Sequence, residues 1–108
     1  MGENKSVIIP RLLQGNLVTC IGKSAFLNRD DLTSVEIPNS VTRIGPCAFW
    51  WCKGLKKIII PANTYSIGAE AFYGCKALTI YCEAAKANEE WSQNWNDGRP
   101  VIWDYKGE

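Results

Sequence analysis

A chain of 108 residues with 46% hydrophobic and 21% charged side chains is long enough for one folded domain and too apolar for a disordered one. Its net charge of +1 excludes the strong overall field with which basic proteins recruit nucleic acid or membrane. It has no histidine, which removes the commonest acid–base group and every His-based triad, and no apolar run approaches a membrane span.

The chain opens on MGENKSVIIP, which lacks the long apolar core of a signal peptide. A cytoplasmic location is expected if Met1 is the natural start, and a cell-surface one if the chain is a fragment. MGENKS also fits the six-residue pattern for N-myristoylation. The stretch SVIIPRLLQGNLV (6–18) is apolar and has no helix ahead of it. Two outcomes are open for this end. A strand edge stays free and pairs with a second copy, giving a homodimer, or Leu12, Leu13 and Leu17 fold over it as an improvised cap.

A repeat then sets in with a period of 23 residues. IGKSAFLNRDDLTSVEIPNSVTR fills 21–43, IGPCAFWWCKGLKKIIIPANTYS fills 44–66, and IGAEAFYGCKALTIYC fills 67–82. A partial copy, 7–20, precedes them. The columns read Ile21/Ile44/Ile67, Gly22/Gly45/Gly68, Ala25/Ala48/Ala71, Phe26/Phe49/Phe72 and Leu32/Leu55/Leu78, with Val35/Ile58 and Ile37/Ile60. LTSVEI and LKKIII alternate as strands do, and Pro38 and Pro61 end them because proline gives a ladder no N–H. Each "IG" predicts a tight turn, and each "AF" a short helical segment with the Phe inward. Stacking such coils buries Ile, Leu, Val and Phe in continuous columns.

Residues 83–108 read as a C-terminal cap. EAAKANEEWSQNW (83–95) predicts a helix with Ala84, Trp91 and Trp95 on one stripe, Asn96–Gly98 a turn, and PVIWDY (100–105) a strand. Trp91, Trp95 and Trp103 are expected to plug the end of the stack. The charge is uneven along the chain. Residues 1–82 hold nine Lys/Arg against five Asp/Glu, and 83–108 hold three against six.

The IGxxAFxxC of 44–52 and 67–75 and the LTSVEIPNSVTRIG of 32–45 closely resemble the BspA-like, or treponemal-type, leucine-rich repeat family. The tail LTIYCEA…W…W…RPVIW (78–103) resembles that family's C-terminal unit. The resemblance covers nearly the whole chain. It implies a leucine-rich repeat solenoid, a right-handed β/α superhelix of parallel strands with short helical turns, capped by one helix and a strand. It also implies a recognition module, often found on bacterial surface proteins. Two departures stand out: Arg29 takes the place of Cys52 and Cys75, and RLLQGNL is inserted in the first copy.

No catalytic or cofactor chemistry is expected. The chain has no GxxxxGK[ST] loop and no GxGxxG, and its five cysteines (20, 47, 52, 75, 82) form no CxxC for zinc. Cys52 and Cys75 share a column at a spacing a disulfide could bridge, but two reduced, buried thiols are expected. The expected partner is another protein, not nucleic acid or membrane.

Two surfaces are candidates for binding it. Trp50 shares its slot with Leu27 and Tyr73, so an apolar packing position is expected; Trp51 shares its slot with Asn28 and Gly74, so an exposed anchor is expected there. On the strand face, Ile8, Glu36, Ile59 and Tyr81 form an outward row bordered by Lys57 and Ser34. Lys53, Lys56, Lys57 and Lys76 form a basic patch that favours an acidic partner. The reading is of a non-catalytic binder, either a small intracellular inhibitor or adaptor that occludes its partner, as a phage-encoded antagonist of a defence enzyme would, or a fragment of a surface adhesin.

Overall fold

The computed structural model of the protein describes residues 5–107, so most of the MGENKS pattern lies outside it. The strands, in chain order, are β1 (Lys5–Ile8), β2 (Leu12–Leu13), β3 (Asn16–Leu17), β4 (Cys20–Ile21), β5 (Leu32–Glu36), β6 (Arg43–Ile44), β7 (Lys57–Ile60), β8 (Ser66–Ile67), β9 (Thr79–Cys82) and β10 (Val101–Ile102). Neighbours in a sheet are not neighbours in sequence. β1, β5, β7, β9 and β10 line up in that order as one parallel sheet, and β4, β6 and β8 as a second. Each circuit of the chain therefore adds one strand to each sheet, and the protein is a parallel-strand solenoid with a leucine-rich repeat fold.

Alternation along the strands builds the core. Val35 of β5, Ile58 and Ile60 of β7, and Ile80 and Cys82 of β9 are buried, with Ile21, Ile44 and Ile67 of the second sheet against them; Leu32, three residues before Val35, is buried as well because the register shifts by one residue at the start of β5. Phe26, Phe49 and Phe72 stack nearly parallel, at 5.1 and 5.4 Å between ring centroids.

The predicted helical turns do not form. Residues 22–28 and their equivalents are successive tight turns, because two positions per coil have left-handed backbone. Ser24, Cys47 and Glu70 lie at φ 58°, and Asn28, Trp51, Gly74 and Asp97 at φ 64, 60, 79 and 51°. A helix cannot run through such residues. Their neighbourhood bonds outward: Phe26 N–H donates to Ala48 O at 2.7 Å, Asn28 to Trp50 O at 2.7 Å, and Phe49 to Ala71 O at 2.8 Å. Amides that a helix would satisfy within itself tie each coil to the next.

The predicted cap helix is absent for a related reason. Residues 83–95 are bends and turns that follow the path of another coil. Trp91 bridges Ile67 in parallel register, Ser92 N–H donates to Ile67 O at 2.8 Å, and Trp95 meets Phe72 edge-on at 6.2 Å. Trp91 and Trp95 thus extend the Ile and Phe columns, and Trp103 packs against both, at 6.0 and 6.2 Å. Trp91 Nε1 donates to Thr64 O, which satisfies its buried N–H. The spacing of four that suggests one helix face is here the spacing of two inward positions on a coil.

The N-terminal end is not sealed in this way. Leu12, Leu13 and Leu17 form a hairpin, β2–β3, turning at Gln14–Gly15 with both residues at positive φ, as a type I′ turn requires. These leucines are 51, 61 and 52% exposed, so the improvised cap is not what they build.

Candidate protein-binding surface

The register of the five-stranded sheet places the outward residues in rows. Ile8 pairs with Glu36, Ile59 with Tyr81, and Tyr81 with Ile102. Val35 pairs with Ile58, so Glu36 and Ile59 are neighbours and the row runs unbroken across five strands. A second row on the same face runs Ser6, Ser34, Lys57 and Thr79. Ser6 and Ser34 share a hydroxyl hydrogen bond of 2.8 Å.

Lys57 sits where the rows meet aromatic rings. Its ammonium lies 4.9 Å from the Tyr81 ring centroid and 5.5 Å from that of Tyr105, and its Nζ is 3.4 Å from the Tyr105 hydroxyl. Tyr81 and Tyr105 themselves pack at 4.9 Å. An exposed lysine is usually a mobile charge; two tyrosine faces hold this one in place. Beside it Ser34, Glu36, Lys57 and Ile59 border a shallow hollow of about 210 Å³. Ile102 and Tyr105 escape sequence reasoning because they lie in the last coil, which has lost the repeat's consensus. The one available signal is that VIW continues the alternation of the earlier strands.

The tryptophan pair lies outside these rows, in the turns between β6 and β7, and its two members are half-buried alike. The column of Trp50 is a surface column: Leu27 and Tyr73 are both exposed, and Trp50 stacks on Tyr73 at 5.6 Å. Trp51 lies over Gly74, where an added Cβ would meet its ring at 2.8 Å, and Lys76 stands 5.3 Å from the ring centroid. Asn28 and Gly74 share the slot of Trp51 because the slot demands positive φ, which those two tolerate best. The column therefore records backbone conformation as well as exposure. Trp51, Tyr73, Lys76, Asp97 and Arg99 border a hollow of about 360 Å³. The four lysines of the basic patch are all exposed, but Lys57 and Lys76 attach to different aromatic groups.

The cysteine column has a structural role. Cys52 Sγ donates to Phe26 O at 3.1 Å and Cys75 Sγ to Phe49 O at 3.0 Å, so each thiol ties down the coil before it. Both are free thiols. Arg29, in the same column, instead forms a two-point ion pair with Asp31 (2.9 and 3.2 Å), whose carboxyl it holds below the usual carboxylate value. Contact with Cys52 and burial push the Cys75 thiol up, and burial alone pushes Cys82 up to about 12. Alkylation of the native protein at pH 8 should therefore label exposed Cys20 and, more slowly, half-buried Cys47. Intact-mass spectrometry should show one or two adducts natively and five in denaturant.

Among the described residues, no group of three His, Cys, Asp or Glu side chains could hold a metal ion, and no helix is long and apolar enough to cross a membrane.

A parallel-strand solenoid whose coils bury stacked columns of Ile, Leu and Phe is the architecture of the leucine-rich repeat class. Residues 16–90 match the family described as "BspA type Leucine rich repeat region", in six copies, and the chain belongs to that family. Among solved structures it is similar to a leucine rich cell surface protein from Faecalibacterium prausnitzii A2-165, with 36% identity and a TM-score of 0.64. The match covers 73% of this chain and 23% of that one, so the chain spans under a quarter of its neighbour's length. No curated protein matches significantly.

Proposed function

We propose that this protein recognises another protein through the row Ile8, Glu36, Ile59, Tyr81 and Ile102, with Lys57 as the charged anchor and an acidic surface as the complement. The observation that carries this reading is Lys57 held over Tyr81 and Tyr105 (4.9 and 5.5 Å). A preordered cation among tyrosines has the composition of an interface hot spot and loses little side-chain freedom on binding. Trp50 and Trp51 form a second candidate surface, but packing over Gly74 already accounts for part of the Trp51 ring. The role in the cell has two forms: a recognition unit displayed at a bacterial surface, or a small inhibitor or adaptor that occludes its partner. The likeness to a cell surface protein supports the first.

The test is capture of a partner by wild type, Lys57→Glu, Ile59→Glu and Trp51→Ala in parallel, with thermal unfolding as the control for folding. Binding should fall at least about 10-fold for the two strand-face variants, change little for Trp51→Ala, and weaken with added salt. A partner kept by Ile59→Glu and lost by Trp51→Ala would move the site to the turn face.

A further inference from the structure

The open edge of β1 is the feature that the partner-binding reading leaves unused. Lys5 N–H donates to Asp31 O at 2.8 Å and Ile9 N–H to Glu36 O at 3.0 Å, so residues 5 and 9 bond inward, toward β5. Strand alternation places Val7 with them and turns the N–H and C=O of Ser6 and Ile8 the other way. β5 is the only strand paired with β1 among the described residues, so these four groups face an open edge.

The first coil also concentrates exposed aliphatic surface. Ile8 (69%), Leu12, Leu13, Leu17 and Leu27 all lie within residues 8–27. A free edge flanked by such side chains is a template for another strand, and no Pro or charged side chain blunts positions 6–8.

We infer that β1 pairs antiparallel with β1 of a second copy, forming a two-fold dimer with one continuous ten-stranded sheet. Parity, together with the pairing of both outward residues of each copy, fixes the register. Antiparallel strands exchange both hydrogen bonds between residues whose groups face outward, so Ser6 lies opposite Ile8 of the partner subunit, and Ile8 opposite Ser6 of the partner subunit. The two Val7 residues meet at the axis, and Lys5 falls opposite Ile9 of the partner subunit, so no like charges are opposed. Four main-chain hydrogen bonds form, and β2–β3, carried at the same end of the stack, adds leucines from both copies.

Head-to-tail stacking is the competing arrangement, and the uneven charge favours it. The far end, however, is plugged by Trp91 and Trp95, and β10 offers only Val101 and Ile102 as an edge. A two-fold pairing uses the long open edge twice and closes on itself. It also joins the row through Ile8 to the partner subunit's row of Ser6, Ser34, Lys57 and Thr79, making one binding face of two.

Sedimentation equilibrium from micromolar to near-millimolar protein tests this. The 12.1 kDa chain should approach twice its mass, about 24 kDa, and stop there. Ser6→Pro removes an N–H that points out of the monomer, and Ile8→Lys blunts the edge without touching the backbone. Both should stay folded and monomeric at concentrations where wild type is dimeric. A wild type monomeric throughout, a mass that keeps growing beyond the dimer, or a folded Ile8→Lys or Ser6→Pro that still dimerises would each overturn the inference. A partner still bound by monomeric Ser6→Pro would separate this contact from the recognition site.

Discussion

Replacing Phe49 with alanine is expected to cost about 3–5 kcal/mol, a large share of the roughly 5–15 kcal/mol that a domain of this size has in total. Phe49 is fully buried, and its ring lies between two others at 5.1 and 5.4 Å with interplanar angles of 4 and 5°. Truncation leaves a cavity in the middle of the column and takes a stacking partner from both Phe26 and Phe72. The melting temperature should fall by more than about 10 °C. Phe26→Ala is the matched comparison. Phe26 has the same chemistry and the same column but is half-buried, with one ring partner in that column. Its loss should cost about half as much. Urea unfolding read by tryptophan fluorescence measures both. Because coils are coupled chiefly to their neighbours, Phe49→Ala should also broaden the transition by weakening the link between the first coil and the rest. Equal costs for the two substitutions would show that the column is not the axis along which the coils cooperate.

How far the sequence can be read depends on what each column reports. The Ile, Leu and Phe columns report burial, which composition alone expresses, and all their residues are buried except Phe26 and Ile37 of the first full copy, which are half-buried against the core. The strand-face row is legible for the same reason: alternation puts Ile8, Glu36, Ile59 and Tyr81 outward once Val7, Val35, Ile58 and Ile80 are inward, and the registers align them. What is not legible is conformation hidden beneath composition. Asn28, Trp51, Gly74 and Asp97 look like an exposed position, yet they share a left-handed backbone. Trp91 and Trp95 look like a helix stripe, yet they are two inward slots of a coil whose consensus has been replaced by indoles. The pairing of Lys57 with Tyr105 spans 48 residues and two coils, and no periodicity announces it. Whether this row binds a partner is a question of chemistry outside the chain, which neither alternation nor register contains.

The glycine column makes the sharpest separation between conformation and stacking. Gly22, Gly45 and Gly68 occupy one slot, where the sequence suggests a turn that only glycine could make. None of the three has positive φ, so alanine fits the backbone of each. What differs is the coil before them. A Cβ on Gly68 would lie 2.4 Å from Pro46 N and 2.7 Å from its Cα, and one on Gly45 would lie 2.7 Å from Lys23 N. Both glycines are held at that distance by hydrogen bonds to the coil below, Gly68 to Ile44 O at 2.8 Å and Gly45 to Ile21 O at 2.7 Å. The atoms in the way are backbone and cannot swing aside, so Gly68→Ala should force two coils apart and cost at least about 1–3 kcal/mol. Gly22 has open space where its Cβ would go. Gly22→Ala should be neutral or stabilise by about 0.4–1 kcal/mol, through the loss of freedom in the unfolded chain. Urea midpoints for the three single variants should therefore fall in the order Gly22→Ala, Gly45→Ala, Gly68→Ala, from most to least stable. A Gly22→Ala as damaging as Gly68→Ala would mean that the slot selects glycine for its own turn after all, and that close stacking is a consequence of that turn.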